Sequence, residues 1–140
     1  MSESNVNLDL AREIIQAEGR ALLGVAERLD DAFCQAVEMI HACRGQIVLT
    51  GIGKAGLVAQ KISATLASTG TPSIFLHPVE ALHGDLGRVA SGDVVVALSH
   101  SGSTEEVVRL IDHLKARGVK LIALTGLTGS PLALHADIAL

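Results

Sequence analysis

Tryptophan and tyrosine are absent from the 140 residues, and Phe33 and Phe75 are the only phenylalanines. A domain that reads single-stranded nucleic acid by stacking bases on aromatic platforms has almost nothing to build with here. Positive charge is not in excess either. The 11 Lys and Arg face 15 Asp and Glu, and the net charge of −4 argues against a general nucleic-acid binder. A local positive site for a phosphorylated metabolite remains open. Cysteine is scarce: Cys34 and Cys43 have eight residues between them, neither a C-x-x-C pair nor a zinc spacing, and are read as two reduced, partly buried thiols. The start, MSESNVNLDLARE, has no apolar signal region, and no apolar run approaches the ~18 residues of a membrane span. A soluble cytoplasmic protein is expected.

What the chain does have is 49% apolar residues and 14 glycines. A core of Ala, Val, Leu and Ile with close helix–sheet approaches suits a layered α/β domain, and the length suits one domain. Residues 8–44 carry helical spacing: Leu8, Ala11, Ile15, Leu22, Val25, Leu29, Ala32, Ala36 and Met39, with Glu18 interrupting. The spacing predicts one long helix or two, with a break at Gly19, Gly24 or Asp30-Asp31. This segment, 1–44, either packs on the domain that follows or forms the seam of a homo-oligomer.

From residue 45 to 140 the rhythm becomes βαβ. QIVLT (46–50) reads as a buried strand, 54–69 as a helix and SIFL (73–76) as a second strand. A compact loop or helix fills 77–87. DVVVAL (93–98) is a third strand, 104–117 an amphipathic helix, and 120–124 a fourth strand. Ser130-Pro131 opens a short helix, and ADIAL begins a fifth strand. Short strands alternating with helices predict a parallel sheet in a doubly wound α/β/α sandwich.

Three stretches carry chemistry. GIGKAG (51–56) follows a strand and fits the G-x-G-x-x-G of a dinucleotide turn. That fingerprint needs an acid at the tip of the second strand, where this chain has Phe75-Leu76-His77-Pro78, with Glu80 beyond the proline. Lys54 inside the loop suits an anionic substrate better, so nicotinamide or flavin binding ranks last. SHSGST (99–104) lies between a strand and a helix, and its hydroxyls and backbone N–H groups suit a phosphate. Simple helix capping by Ser103 or Thr104, with Glu106 in a capping box, accounts for one hydroxyl but not for Ser99 and Ser101. HPVEALHGDLGRV (77–89) gathers His77, Glu80, His83 and Asp85. His77 and His83 lack the i, i+4 spacing of a zinc helix, so a polar site wall is preferred to a metal, with His83 in reach of a sugar hydroxyl and His77 packed beside Pro78. His41, His113 and His135 receive no role.

Together, TGIGKAG, ASTGTPSIFLHPVEALHGDLG and ALSHSGSTEEV resemble the sugar isomerase (SIS) domain, in particular the branch containing D-arabinose-5-phosphate isomerase. The resemblance runs from about residue 10 to 140 and implies a five-stranded parallel sheet between helices, of flavodoxin-like, doubly wound type. It also implies a pentose 5-phosphate substrate, no cofactor, no metal, and a homodimer or homotetramer with sites between subunits. Carried over by position, Ser99, His100, Ser101 and Thr104 match the phosphate turn, with Gly53 and Lys54 in the glycine loop. Glu106 and His83 match polar positions of the site. In this branch an Asn often stands where this chain has His100.

Interconverting an aldose and a ketose phosphate needs a base, a donor for the developing oxyanion and a phosphate anchor. The anchor falls to Ser99, Ser101 and Thr104, and charge stabilisation to Lys54. Glu106 is either an acid/base or only a first-turn helix carboxylate. The implied reaction joins D-arabinose 5-phosphate and D-ribulose 5-phosphate through an enediolate, feeding lipopolysaccharide biosynthesis. The alternative is a non-catalytic phosphosugar-sensing module. Family members continue past the fifth strand into a segment supplying another glutamate and a histidine, and many add a pair of CBS domains. A chain ending at Leu140 is therefore expected to be C-terminally incomplete.

Overall fold

The computed structural model describes residues 7–140, so the first part of the start read above for a signal region lies outside the described residues. The chain divides into two compact units, one up to Asp31 and the other Ala32–Leu140. The first holds α1 (Leu8–Ala26). Asn7 caps it, its side-chain oxygen accepting from the Asp9 and Leu10 N–H groups at 3.0 and 3.2 Å, and Arg12 pairs with Asp9. No residue of α1 is buried. Gly19 and Gly24 both stay within the helix, and the break falls between Glu27 and Asp30, the last of the three places considered.

In the second unit, α2 (Asp31–His41) precedes β1 (Ile47–Gly51), α3 (Gly53–Ser68) and β2 (Ser73–Phe75). Next come α4 (Pro78–Leu82), a 3-10 turn (Asp85–Arg88), β3 (Val94–Leu98) and α5 (Glu105–Ala116). β4 (Lys120–Leu124), α6 (Pro131–His135) and β5 (Ile138–Ala139) complete it. The strands make one all-parallel sheet in the order β2-β1-β3-β4-β5, which is the flavodoxin-like arrangement. The three-layer α/β/α sandwich is as expected, with boundaries shifted by a residue or so. Asp93 drops out of β3 because its carboxylate bridges loops instead: it accepts from Gln46 N and Ala90 N, each at 2.9 Å.

The central strands are buried on both faces, which is why they read as unbroken apolar runs. On one face Val48, Val95, Ala97 and Leu121 pack with Val107, Leu110, Ile111 and Leu114 of α5, a three–four repeat on an otherwise polar helix. On the other, Ile47, Leu49, Val96, Leu98 and Ile122 pack with Ala59 of α3 and Ala36 of α2. Each fully buried Leu or Ile contributes about 1.5–3 kcal/mol. Cys43 is half-buried as expected, but Cys34 is exposed, because α2 turns it away from the side that carries Ala36 and Met39. Among the described residues no helix is long and apolar enough to cross a membrane.

Candidate functional site

In a parallel sheet every strand points the same way, so every strand-to-helix turn opens at one end. The strand order reverses between β1 and β3, which pair from Ile47–Val94 through Gly51–Leu98. Connections leave these neighbours in opposite directions, and the crevice between them is where open α/β sheets take ligands. GIGKAG leaves β1 there and SHSGST leaves β3 there. Both stretches singled out in the sequence thus meet at the switch point.

The glycine loop turns sharply into α3. Gly53 has φ +59°, a left-handed conformation that side chains rarely adopt. Gly56 has a different reason: a Cβ on it would lie 2.7 Å from the Gly51 carbonyl oxygen, so only glycine lets the first turn of α3 close onto the end of β1. Lys54, exposed in that turn, has no ion-pair partner among the described residues.

After β3, Ser99 is buried at 3% exposure and its hydroxyl lies 2.8 Å from that of Thr104. Thr104 is the residue that precedes α5, yet its side chain makes no capping bond. The capping-box alternative is thereby corrected. Glu106 is the second residue of α5, one short of the position a box would need with Thr104, and the Thr104 hydroxyl is spent on Ser99. Ser101 is exposed and its Oγ accepts from Ser103 N at 3.3 Å. His100 and Glu106 stand at the loop's rim and at the first turn of α5.

The rest of the loop is stitched to a turn that sequence reasoning passed over, TGLTGS (125–130) between β4 and α6. Ser99 N donates to Leu124 O at 3.1 Å, Gly126 N to His100 O at 3.0 Å and Leu132 N to Gly102 O at 3.0 Å. Gly102, at φ +61°, leaves no room for a Cβ because Ser130 and Thr125 fill that space. The signal available was the pattern itself: a third hydroxyl- and glycine-rich stretch between a strand and a helix.

The third wall follows β2. His77 precedes α4, His83 ends it exposed, and α4 packs against α5. Asp85 pairs with Arg88 at 3.4 Å, and Glu80 is exposed. Lys54, Glu106 and His83 therefore stand after three different strands at one end of the sheet. Among the described residues none of them bonds to another.

A cavity of about 740 Å³ opens at the opposite end of the sheet, against Cys43, Arg44, Asp93, Lys120 and Asp137. Size does not make it the site. Two of its three acids are committed to the fold: Asp93 to the two loops above, and Asp137 to Lys120 Nζ at 2.9 Å and Leu121 N at 2.8 Å.

The SIS domain family matches residues 39–140. Arabinose 5-phosphate isomerase KdsD of Pseudomonas aeruginosa is 48% identical over 137 residues, covering 96% of this chain and 42% of that protein. Arabinose 5-phosphate isomerase GutQ of Escherichia coli K12 is 44% identical over 140 residues, covering 100% of this chain and 43% of the relative. The chain thus spans about two fifths of the curated relatives it matches. A solved structure, E. coli CFT073 c3406 in complex with arabinose 5-phosphate, superposes with a TM-score of 0.84 at 41% identity, covering 96% of this chain and 73% of that one.

Proposed function

This chain belongs to the SIS domain family, and we propose that it is the phosphosugar-binding part of an aldose–ketose isomerase that interconverts D-arabinose 5-phosphate and D-ribulose 5-phosphate. The observation that carries the reading is the meeting of the two anion-competent turns, 51–56 and 99–104, on neighbouring strands at the switch point. Identity to relatives named arabinose 5-phosphate isomerase supports the choice of sugar.

The phosphate seats on the β3 turn. Each hydroxyl carries one proton and two acceptor lone pairs. In the Ser99–Thr104 pair one proton is used internally and the other stays free for a phosphate oxygen. Ser101, whose Oγ acts only as an acceptor toward the protein, donates a second. The N-terminus of the 12-residue α5 adds positive potential. With the phosphate fixed, the carbon chain lies over Gly53 and Lys54. A base, Glu106 or His83, removes the proton beside the carbonyl, and the Lys54 ammonium stabilises the enediolate oxygen that gains charge. The proton then returns to the former carbonyl carbon, while the hydroxyl proton on the carbon that lost it passes to the former carbonyl oxygen, leaving the ketone. No electron leaves the sugar, so the reaction asks for no redox cofactor.

The same reading makes the protein a cytoplasmic homodimer or homotetramer in lipopolysaccharide precursor synthesis, with the helical segment 1–44 preceding the phosphosugar domain 45–140. The exposed apolar residues of α1, among them Ile15, Leu22 and Leu23, suit a seam with a second copy.

A thermal-shift titration with arabinose 5-phosphate, ribulose 5-phosphate, inorganic phosphate and NAD tests the binding. A ligand at 100 times its Kd adds about 2.7 kcal/mol of apparent stability. The pentose phosphates should stabilise beyond phosphate alone, and Ser101→Ala should weaken them about 10- to 100-fold with the unliganded Tm unchanged. A shift with NAD alone would sink the proposal. Binding without turnover by the full-length protein would favour a sensing module instead.

A further inference from the structure

His77 takes no part in the mechanism above, and its surroundings give it one. The bond from Leu76 N to Leu49 O, 2.9 Å, carries the β1–β2 pairing one residue past Phe75. His77 therefore stands level with Gly51, at the mouth of the glycine loop. Its ring meets Phe75 edge-on, with centroids 6.3 Å apart and planes at 76°. Phe75 in turn lies beneath Gly56, its ring tip 3.7 Å from where a Cβ there would be. The imidazole thus belongs to the side of the sheet covered by the first turn of α3, the turn that carries Lys54.

The two ring nitrogens are unequal. Nδ1 is buried and has no hydrogen-bond partner among the described residues. Nε2 has none either, but it is not among the buried unpaired atoms, so it reaches solvent. A ring with one proton keeps it where a partner can be found, because a buried N–H without an acceptor is the rarer fault in folded proteins. The proton belongs on Nε2, the nitrogen that reaches solvent, on a ring held by aromatic packing.

We propose that His77 is a further substrate-contacting residue whose Nε2–H donates to an oxygen of the sugar chain, not to the phosphate. The strand order decides which end of the ligand it meets. Neighbouring strands are about 4.8 Å apart, so β2 and β3, on either side of β1, are separated by roughly 10 Å. A phosphorylated five-carbon chain anchored on the β3 turn and laid across the glycine loop brings its carbonyl end toward β2. This inference rests on the phosphosugar reading.

The experiment is titration of the protein and of His77→Phe with arabinose 5-phosphate and, separately, inorganic phosphate. Phenylalanine keeps the ring contact with Phe75 and removes the donor. The sugar phosphate should bind His77→Phe about 3- to 10-fold more weakly, with phosphate affinity unchanged. Equal sugar-phosphate affinity in both proteins would overturn the proposal. If the variant does not fold, ring-nitrogen NMR of the unaltered protein decides. The His77 Nε2 signal should be that of a protonated nitrogen and should move with the sugar phosphate but not with phosphate. A signal that stays still while the Ser101 amide moves would overturn it. Failure of the functional reading looks different: the unaltered protein would then prefer neither ligand, and this inference would fall with it.

Discussion

Thr50 carries a hydroxyl that is fully buried at the carboxyl end of β1 and has no partner among the described residues. Such a group costs about 1–3 kcal/mol relative to one that is bonded. Thr50→Val, nearly the same shape without the hydroxyl, is expected to leave Tm unchanged or raise it by a few degrees. A lower Tm would mean that the hydroxyl has an internal acceptor after all. At this scale the sequence showed which residues matter better than why. The glycines of GIGKAG and the hydroxyls of SHSGST were visible as patterns. That Gly53 serves a backbone angle, Gly56 a close approach, and Thr104 a hydroxyl pair with Ser99 depends on distances between residues that chain order does not carry. His77 looked like packing because an orphaned nitrogen has no signature in the sequence.

Between elements, the clearest tie outside the site is Asp137, which joins the α6–β5 turn to β4. Burial works to raise its carboxyl, but the Leu121 N–H and then the Lys120 ammonium outweigh it and hold it below the ordinary 3.8. A depressed acid contributes stability that is complete above its ordinary value and is lost as pH falls through the folded-state value. Unfolding midpoints followed from about pH 5 down to about pH 2 should fall more steeply for the unaltered protein than for Asp137→Asn. Parallel curves would remove the carboxylate from the acid response. The elements themselves were legible: strands as apolar runs, α5 as a three–four repeat, turns at Gly and Pro. Ends drifted where a local bond competed, as at Asp93.

For the whole molecule, a βαβ rhythm announces a parallel sheet but not which strands are neighbours. The reversal that places β3 beside β1, and with it both loops in one crevice, follows from crossover packing. The family resemblance supplied what periodicity could not. Assembly is the remaining question at this scale. The monomer mass is 14.5 kDa. If α1 forms the seam, sedimentation should give a multiple of that mass, and Leu22→Glu with Leu23→Glu should reduce it. An unaltered protein that sediments as a monomer would refute the seam.

The stitching of residues 99–104 to 124–132 has a consequence for how the protein breathes. α6 is only five residues long and lies toward the sheet edge, beside β4 and the two-residue β5. Local unfolding is easiest where buried apolar contacts are few, and of α6 only Leu132 and Ala133 are buried. If α6 lifted, the bond from Leu132 to Gly102 and the wall that Ser130 gives the loop would go with it, and the 99–104 turn would lose its shape. If the 99–104 turn is the phosphate anchor proposed above, the coupling is reciprocal, and a bound phosphate holds α6 down. On that reading, ligand occupancy and slow amide exchange at the edge of the sheet are two readings of one equilibrium.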